Sequence, residues 1–181
     1  MNVMHEEVFD FVEQDFARKY CYELVSKKTT MRVPVVFEFY DFSPRVFHRI
    51  RNMYNISPDV YLKSIGPENL IGSLLMGNIA SLKEQCSTGK SGSFFYYTAD
   101  NKFMLKTISH EEFTHLQTIL KDYYEHLTQY PHSLITRFFG LHKIKLSSNG
   151  AHKQRIYFVI MANVFNTSKE INLRFDLKGS T

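Results

Sequence analysis

The sequence predicts an α+β fold, an antiparallel sheet with packed helices, and three observations carry that reading. Short apolar runs in the second half are separated by polar turns, one of them an Asn-Gly pair at 149–150. A single long helical pattern opening on a capping box interrupts these runs. Strand and helix patterns do not alternate as a parallel βαβ sheet would require. With 181 residues and 44% hydrophobic content, the chain can bury one core or form one lobe of a larger protein.

In the first 28 residues Val8, Phe9, Val12, Phe16, Tyr20 and Leu24 recur at helical spacing. Glu6, Glu7 and Asp10 lie early and Lys27 and Lys28 late, as the helix dipole favours, so residues 1–30 are expected as an N-terminal helical segment. Val35 to Tyr40, rich in β-branched and aromatic residues after Pro34, reads as a strand. Ser43 and Pro44 supply an N-cap and first residue for a helix with Val46, Phe47, Ile50 and Tyr54 on its apolar stripe. Ser57-Pro58 repeats the signal for a short helix through Tyr61 and Leu62.

Residues 66–77 carry no clear pattern beyond a short apolar patch at Leu74 to Met76. Ser93 to Tyr97 and Phe103 to Ile108 flank Ala99-Asp100-Asn101 and predict a hairpin. Ser109 and Glu112 form the capping box, followed by the stripe Phe113, Leu116, Leu120, Tyr123 and Leu127. Two strands are expected over Leu141 to Leu146 and Arg155 to Met161, and a last one over Ile171 to Lys178, where apolar and polar residues alternate. An antiparallel sheet of about five strands is expected from these segments.

Charge is uneven. The net charge is +4, yet no acidic residue occurs from His126 to Lys169, a span holding Arg137, Lys143, Lys145, Lys153, Arg155 and Lys169. Such a surface either attracts polyanions or is an ordinary solvated basic face. Two cysteines, Cys21 and Cys86, have no metal-ligand spacing and fit a reducing compartment. The N-terminus is acidic where a signal peptide would be basic, and the apolar run Ile156 to Ala162 is too short to span a bilayer. A nucleic-acid partner is not expected, because the basic residues accompany no recognition helix or RNA-binding motif.

The stretch "GKSGSFFYYTADNKFMLKTI", Gly89 to Ile108, suggests a phosphate-binding loop. A P-loop would need glycine where Glu84 stands, and would lead into a helix rather than "SFFYY". A dinucleotide fingerprint lacks its third glycine and its helix. A glycine-containing turn over phosphates, followed by a lysine on the returning strand, does fit. Lys106 shares a strand face with Met104 and Ile108. From this pattern alone, an edge-strand lysine guarding against aggregation is the favoured explanation over a phosphate ligand.

Together with "YYEHLTQYPHSLITRFFGLHKIK", "VIMANVF" and "RFDLKGST", that stretch resembles the amino-terminal half of phosphatidylinositol phosphate kinases, most closely the phosphatidylinositol 4-phosphate 5-kinases. The resemblance runs from Phe39 to the last residue, so residues 31–181 are expected as the N-terminal lobe of a protein-kinase-related lipid kinase fold. It implies ATP binding by Ser91, Gly92 and Ser93 in the loop over the phosphates, with Lys106 and Lys178 as phosphate-contacting lysines. Met161, Asn163 and Val164 would lie at the adenine. Glu112 is a candidate ion-pair partner for Lys106, although its capping box ties it to Ser109, and Glu111 is the alternative.

The resemblance further implies phosphatidylinositol 4-phosphate in an anionic membrane as substrate and a cytoplasmic location peripheral to membranes, the plasma membrane foremost. The acid-free stretch and Arg45, Arg49 and Arg51 would then favour the negatively charged leaflet. The remainder of the kinase domain is an expected partner, and a homodimer is compatible. Catalytic and Mg-binding aspartates are expected beyond Thr181, since neither Asp122 nor Asp176 has the context of a catalytic loop or metal site. The chain alone would then lack phosphotransfer activity. The competing reading is a non-catalytic module or scaffold partner that binds nucleotide or anionic lipid.

Overall fold

The computed structural model describes residues 13–25, 36–66, 95–147, 154–173 and 175. Six strands form one antiparallel sheet: β1 (Lys19–Val25), β2 (Val36–Phe42), β3 (Phe95–Tyr97), β4 (Phe103–Ile108), β5 (Phe138–Ser147) and β6 (Gln154–Ala162). Their order across the sheet is β1-β2-β5-β6-β4-β3. Helices α1 (Glu13–Ala17), α2 (Pro44–Met53), α3 (Pro58–Ile65) and α4 (His110–Gln129) pack around it.

Four sequence expectations need correction. The helix expected through residue 28 is, within the described residues, the single turn α1, and Lys19–Val25 is a strand paired along its whole length with β2. Phe16, Tyr20 and Leu24 are four residues apart, a spacing that satisfies a 3.6-residue period and a two-residue period equally. Pairing with β2 decides between them. The strand expected from Ile171 does not form over Ile171–Leu173 or at Phe175, and Leu173 and Phe175 are exposed. Alternation makes a segment able to pair, but both flanks of β6 are already taken by β5 and β4.

Ser43 stands before α2 as expected, yet its hydroxyl caps nothing. It is buried with φ 48°, in the left-handed region, and its Oγ donates to the Phe16 carbonyl at 2.6 Å while its N–H donates to the Arg18 carbonyl at 2.7 Å. These bonds tie α1 and the start of β1 to the corner between β2 and α2, offsetting the strain of a non-glycine residue there. Nor is Lys106 an edge-strand lysine. Its strand, β4, lies between β6 and β3 and is not an edge.

Elsewhere local signals hold. Ser57 Oγ accepts from Val60 N–H at 3.3 Å, and Pro58 opens α3. The hairpin β3–β4 turns through Asn101, at φ 56°. Helix α4 buries Phe113, Leu116, Leu120, Tyr123 and Leu127, the stripe its sequence spaces at three and four residues. Burying each such leucine stabilises by roughly 1.5–3 kcal/mol. Phe113 meets Phe42 and Tyr157 edge-on or tilted, at 4.8 and 4.6 Å between ring centres, which seats α4 on the sheet face carrying those two residues. On the other face Tyr61 of α3 meets Phe103 and lies beside His142.

Candidate functional site

Strand pairing places the candidate lysine. Lys106 is opposite Phe95 on β3 and Val159 on β6, so these three share a sheet face. Met161, two residues beyond Val159 and opposite Met104, shares it too. Tyr157, opposite Ile108, completes the row along β6. Val159 and Met161 are buried, so Lys106 rises beside an apolar floor.

The Lys106 side chain is 22% exposed, and its Nζ lies 3.1 Å from Glu112 Oε1 in the first turn of α4. Glu112 also closes the capping box: its Oε2 accepts from Ser109 N–H at 2.7 Å, and Ser109 Oγ accepts from Glu112 N–H at 3.0 Å. One carboxylate therefore serves both partners, an oxygen to each. The Ser109 N–H, joined by the Lys106 ammonium, holds the Glu112 carboxyl below the ordinary glutamate range. Glu111 is exposed and makes no ion pair among the described residues, so of the two glutamates it is Glu112 that meets Lys106. An exposed lysine in this position would sample many rotamers; the carboxylate limits where its charge sits.

Beyond Met161 the chain leaves the sheet. Asn163 N–H donates to Lys102 O at 3.1 Å and its Nδ2 to Asn101 O at 2.7 Å, fastening the end of β6 to the β3–β4 turn. Its Oδ1 accepts from Phe165 N–H at 3.0 Å, so this side chain shapes the backbone. Val164 is exposed. Ser91, Gly92, Ser93 and Lys178 lie outside the described residues. Val159 escaped the sequence reading, although its place two residues before Met161 on an alternating strand was signal enough.

Several members of the acid-free stretch are engaged within the fold. Lys145 Nζ bonds both Glu38 carboxylate oxygens at 2.6 and 2.9 Å, Lys143 Nζ sits 3.8 Å from the Tyr40 ring centre, and Arg137 lies 4.4 Å over the Tyr54 ring. Register puts Lys143, Lys145 and Arg155 on the Lys106 face. Burial, with the nearby charges of Lys19, Arg155 and Lys145, pushes the Lys143 pKa down, the mark of crowded cations. Arg155 is exposed, and Lys153 lies outside the described residues.

No group of three or more His, Cys, Asp or Glu among the described residues is placed to hold a metal ion. No helix among them is long and apolar enough to cross a membrane.

The family model for phosphatidylinositol-4-phosphate 5-kinase matches residues 76–181. Over 143 residues, 78% of this chain, the sequence is 43% identical to a phosphatidylinositol 4-phosphate 5-kinase of Plasmodium falciparum, of which it covers 8%. It is 37% identical over 163 residues to phosphatidylinositol 4-phosphate 5-kinase its3 of Schizosaccharomyces pombe, covering 90% of this chain and 20% of that one. With phosphatidylinositol 4-phosphate 5-kinase 1 of Arabidopsis thaliana the identity is 41% over 156 residues, covering 86% and 19%. The chain thus spans at most a fifth of the length of these three relatives.

Proposed function

Because this chain belongs to the phosphatidylinositol-4-phosphate 5-kinase family, we propose that it is the ATP-binding part of an enzyme that transfers the γ-phosphate of ATP to phosphatidylinositol 4-phosphate. The observation that supports this best is the Lys106–Glu112 pair, held at 3.1 Å between an interior strand and the helix packed on it. A lysine so fixed presents a compact positive charge at one place, where the oxygens of a nucleotide phosphate gain a charge-assisted contact without reordering the side chain. Met161 and Val159, on the same face, offer the apolar surface that a purine ring requires.

Ser91, Gly92 and Ser93 would then close over the phosphates and Lys178 would approach them, with the backbone at Asn163 and Val164 beside the adenine. Magnesium, when bound, would offset the negative charge of the phosphates. Among the described residues no group of three or more His, Cys, Asp or Glu is placed to hold it, and none of them is assigned that role. On the same reading this chain alone binds nucleotide without transferring phosphate. The enzyme would work at the cytoplasmic face of an anionic membrane, where each nearby lysine or arginine contributes about 1 kcal/mol of attraction.

Isothermal titration of ATP into the wild-type chain and into Lys106→Ala and Lys178→Ala tests the assignment. Loss of either lysine is expected to weaken binding about tenfold, the scale of one charge-assisted hydrogen bond. Wild-type affinity in both variants would remove the phosphate roles.

A further inference from the structure

On the opposite face of the sheet from Lys106, an open cavity of about 400 Å³ lies between β1 and α2. Its helix wall is built from residues spaced i, i+3, i+4 and i+7, namely Arg45, His48, Arg49 and Asn52, with Arg51 beside them. The strand wall is Tyr20 and Tyr22, which alternate onto one face of β1. That face is reached by register through Asp41, His142 and Phe158 to Thr107, the neighbour of Lys106. β1 is also four strands from β4, roughly 19 Å at about 4.8 Å per strand.

The lining holds three arginines and no carboxylate. Arg45 is committed to the buried Asp15, donating from Nη1 to its two oxygens at 3.0 and 3.1 Å. Arg51 is fixed, with Nη1 donating to the Phe139 carbonyl at 2.6 Å and its guanidinium 4.2 Å over the Tyr61 ring. Arg49 makes no hydrogen bond or ion pair among the described residues, leaving its five donors and its charge at the cavity wall. Burial, together with the Arg51 charge, holds the His48 imidazole below its ordinary pKa.

We propose that this cavity binds a multiply charged phosphate group, with Arg49 as its principal ligand, Arg51 as a fixed second charge, and the Tyr20 and Tyr22 hydroxyls as neutral donors. Arginine suits the task because its planar fork matches phosphate oxygens two at a time. Tyrosine adds hydrogen bonding at low entropic cost, and no carboxylate lines the cavity, Asp15 engaging only Arg45 of its three arginines. The source of the phosphate is either a phosphoinositide headgroup at a membrane or a free phosphate compound. The site does not depend on nucleotide binding at Lys106.

Titration with soluble inositol 1,4-bisphosphate and with inorganic pyrophosphate, followed by calorimetry and by the shift in thermal midpoint, tests it. The wild-type chain is expected to bind at least one of the two, and Arg49→Ala to lose about tenfold in affinity. Lys121→Ala, an exposed lysine on α4, should bind as wild type. Arg49→Ala removes no hydrogen bond or ion pair among the described residues, so its melting midpoint without ligand is expected to match wild type, which certifies its fold. Vesicles of phosphatidylcholine with phosphatidylinositol 4-phosphate, compared with phosphatidylserine vesicles of equal charge, distinguish the sources. Selective loss of the former in Arg49→Ala assigns a lipid headgroup, and loss confined to the soluble ligands assigns a free phosphate. Equal binding by Arg49→Ala and wild type, equal losses in Arg49→Ala and Lys121→Ala, or no binding of either soluble ligand by the folded wild type would overturn the proposal.

Discussion

Glu112 answers to two neighbours, and a single substitution separates them. Glutamine can still accept from the Ser109 N–H in a capping box, but it cannot neutralise Lys106. In Glu112→Gln the helix content is therefore expected to match wild type by circular dichroism, while the wild type alone carries an acid-sensitive contribution to stability. The carboxyl has a lower pKa folded than unfolded, so its contribution is fully present above the ordinary glutamate value, about 4.3. It is lost as pH falls through the lower, folded value. Thermal midpoints between pH 7 and 3 should converge for wild type and Glu112→Gln below that point, and parallel curves would refute the ion pair. The capping role was legible from Ser109 and Glu112 three residues apart. The pairing with Lys106 was legible only as one candidate beside Glu111, because the direction of a side chain across to a neighbouring strand depends on how α4 sits on the sheet.

Among the elements, β5 shows how packing overrides local pattern. The strand is interrupted by a register irregularity between Phe138 and Gly140, and Gly140 is backed by Tyr61 of α3 and by the His142 ring. A methyl group at Gly140 would overlap the Tyr61 hydroxyl, whose ring is pinned beneath Arg51. Gly140→Ala is thus expected to destabilise by about 1–3 kcal/mol, the cost of overpacking a filled core. Chemical denaturation measures it, and an unchanged midpoint would mean that α3 yields freely. Helix α4, by contrast, was readable to the residue, since one apolar stripe and one cap specify an amphipathic helix without outside help. β1 was not readable, because its apolar spacing served helix and strand alike until β2 offered a hydrogen-bonding edge.

For the molecule as a whole, the sheet order sets which charges act together. Lys143, Lys145 and Arg155 share the Lys106 face, but Lys145 is neutralised by Glu38, so the acid-free stretch is less cationic in space than in sequence. Binding to vesicles containing anionic lipid is accordingly expected to be weak and salt-sensitive. Co-sedimentation should fall steeply as ionic strength rises from about 0.1 to 1 M, where the Debye length shrinks from roughly 10 to 3 Å. Salt-independent binding would contradict an electrostatic contact. The sequence by itself determined the α+β class, the β3–β4 hairpin, the capped helix α4 and, through its motifs, the family. Only the tertiary structure decided that β1 is a strand, that residues 171–173 are not, that β4 is interior, and that Lys106 meets Glu112 while Arg49 has no hydrogen bond or ion pair among the described residues. Caps, turns and stripes are made by residues within a turn or two of one another, so their physics is written in adjacent letters. Strand pairing, the burial of Asp15 beside Arg45 and the Lys145–Glu38 pair depend on residues tens of positions apart, and even Lys106 and Glu112, six apart, meet only through the packing of α4 on the sheet.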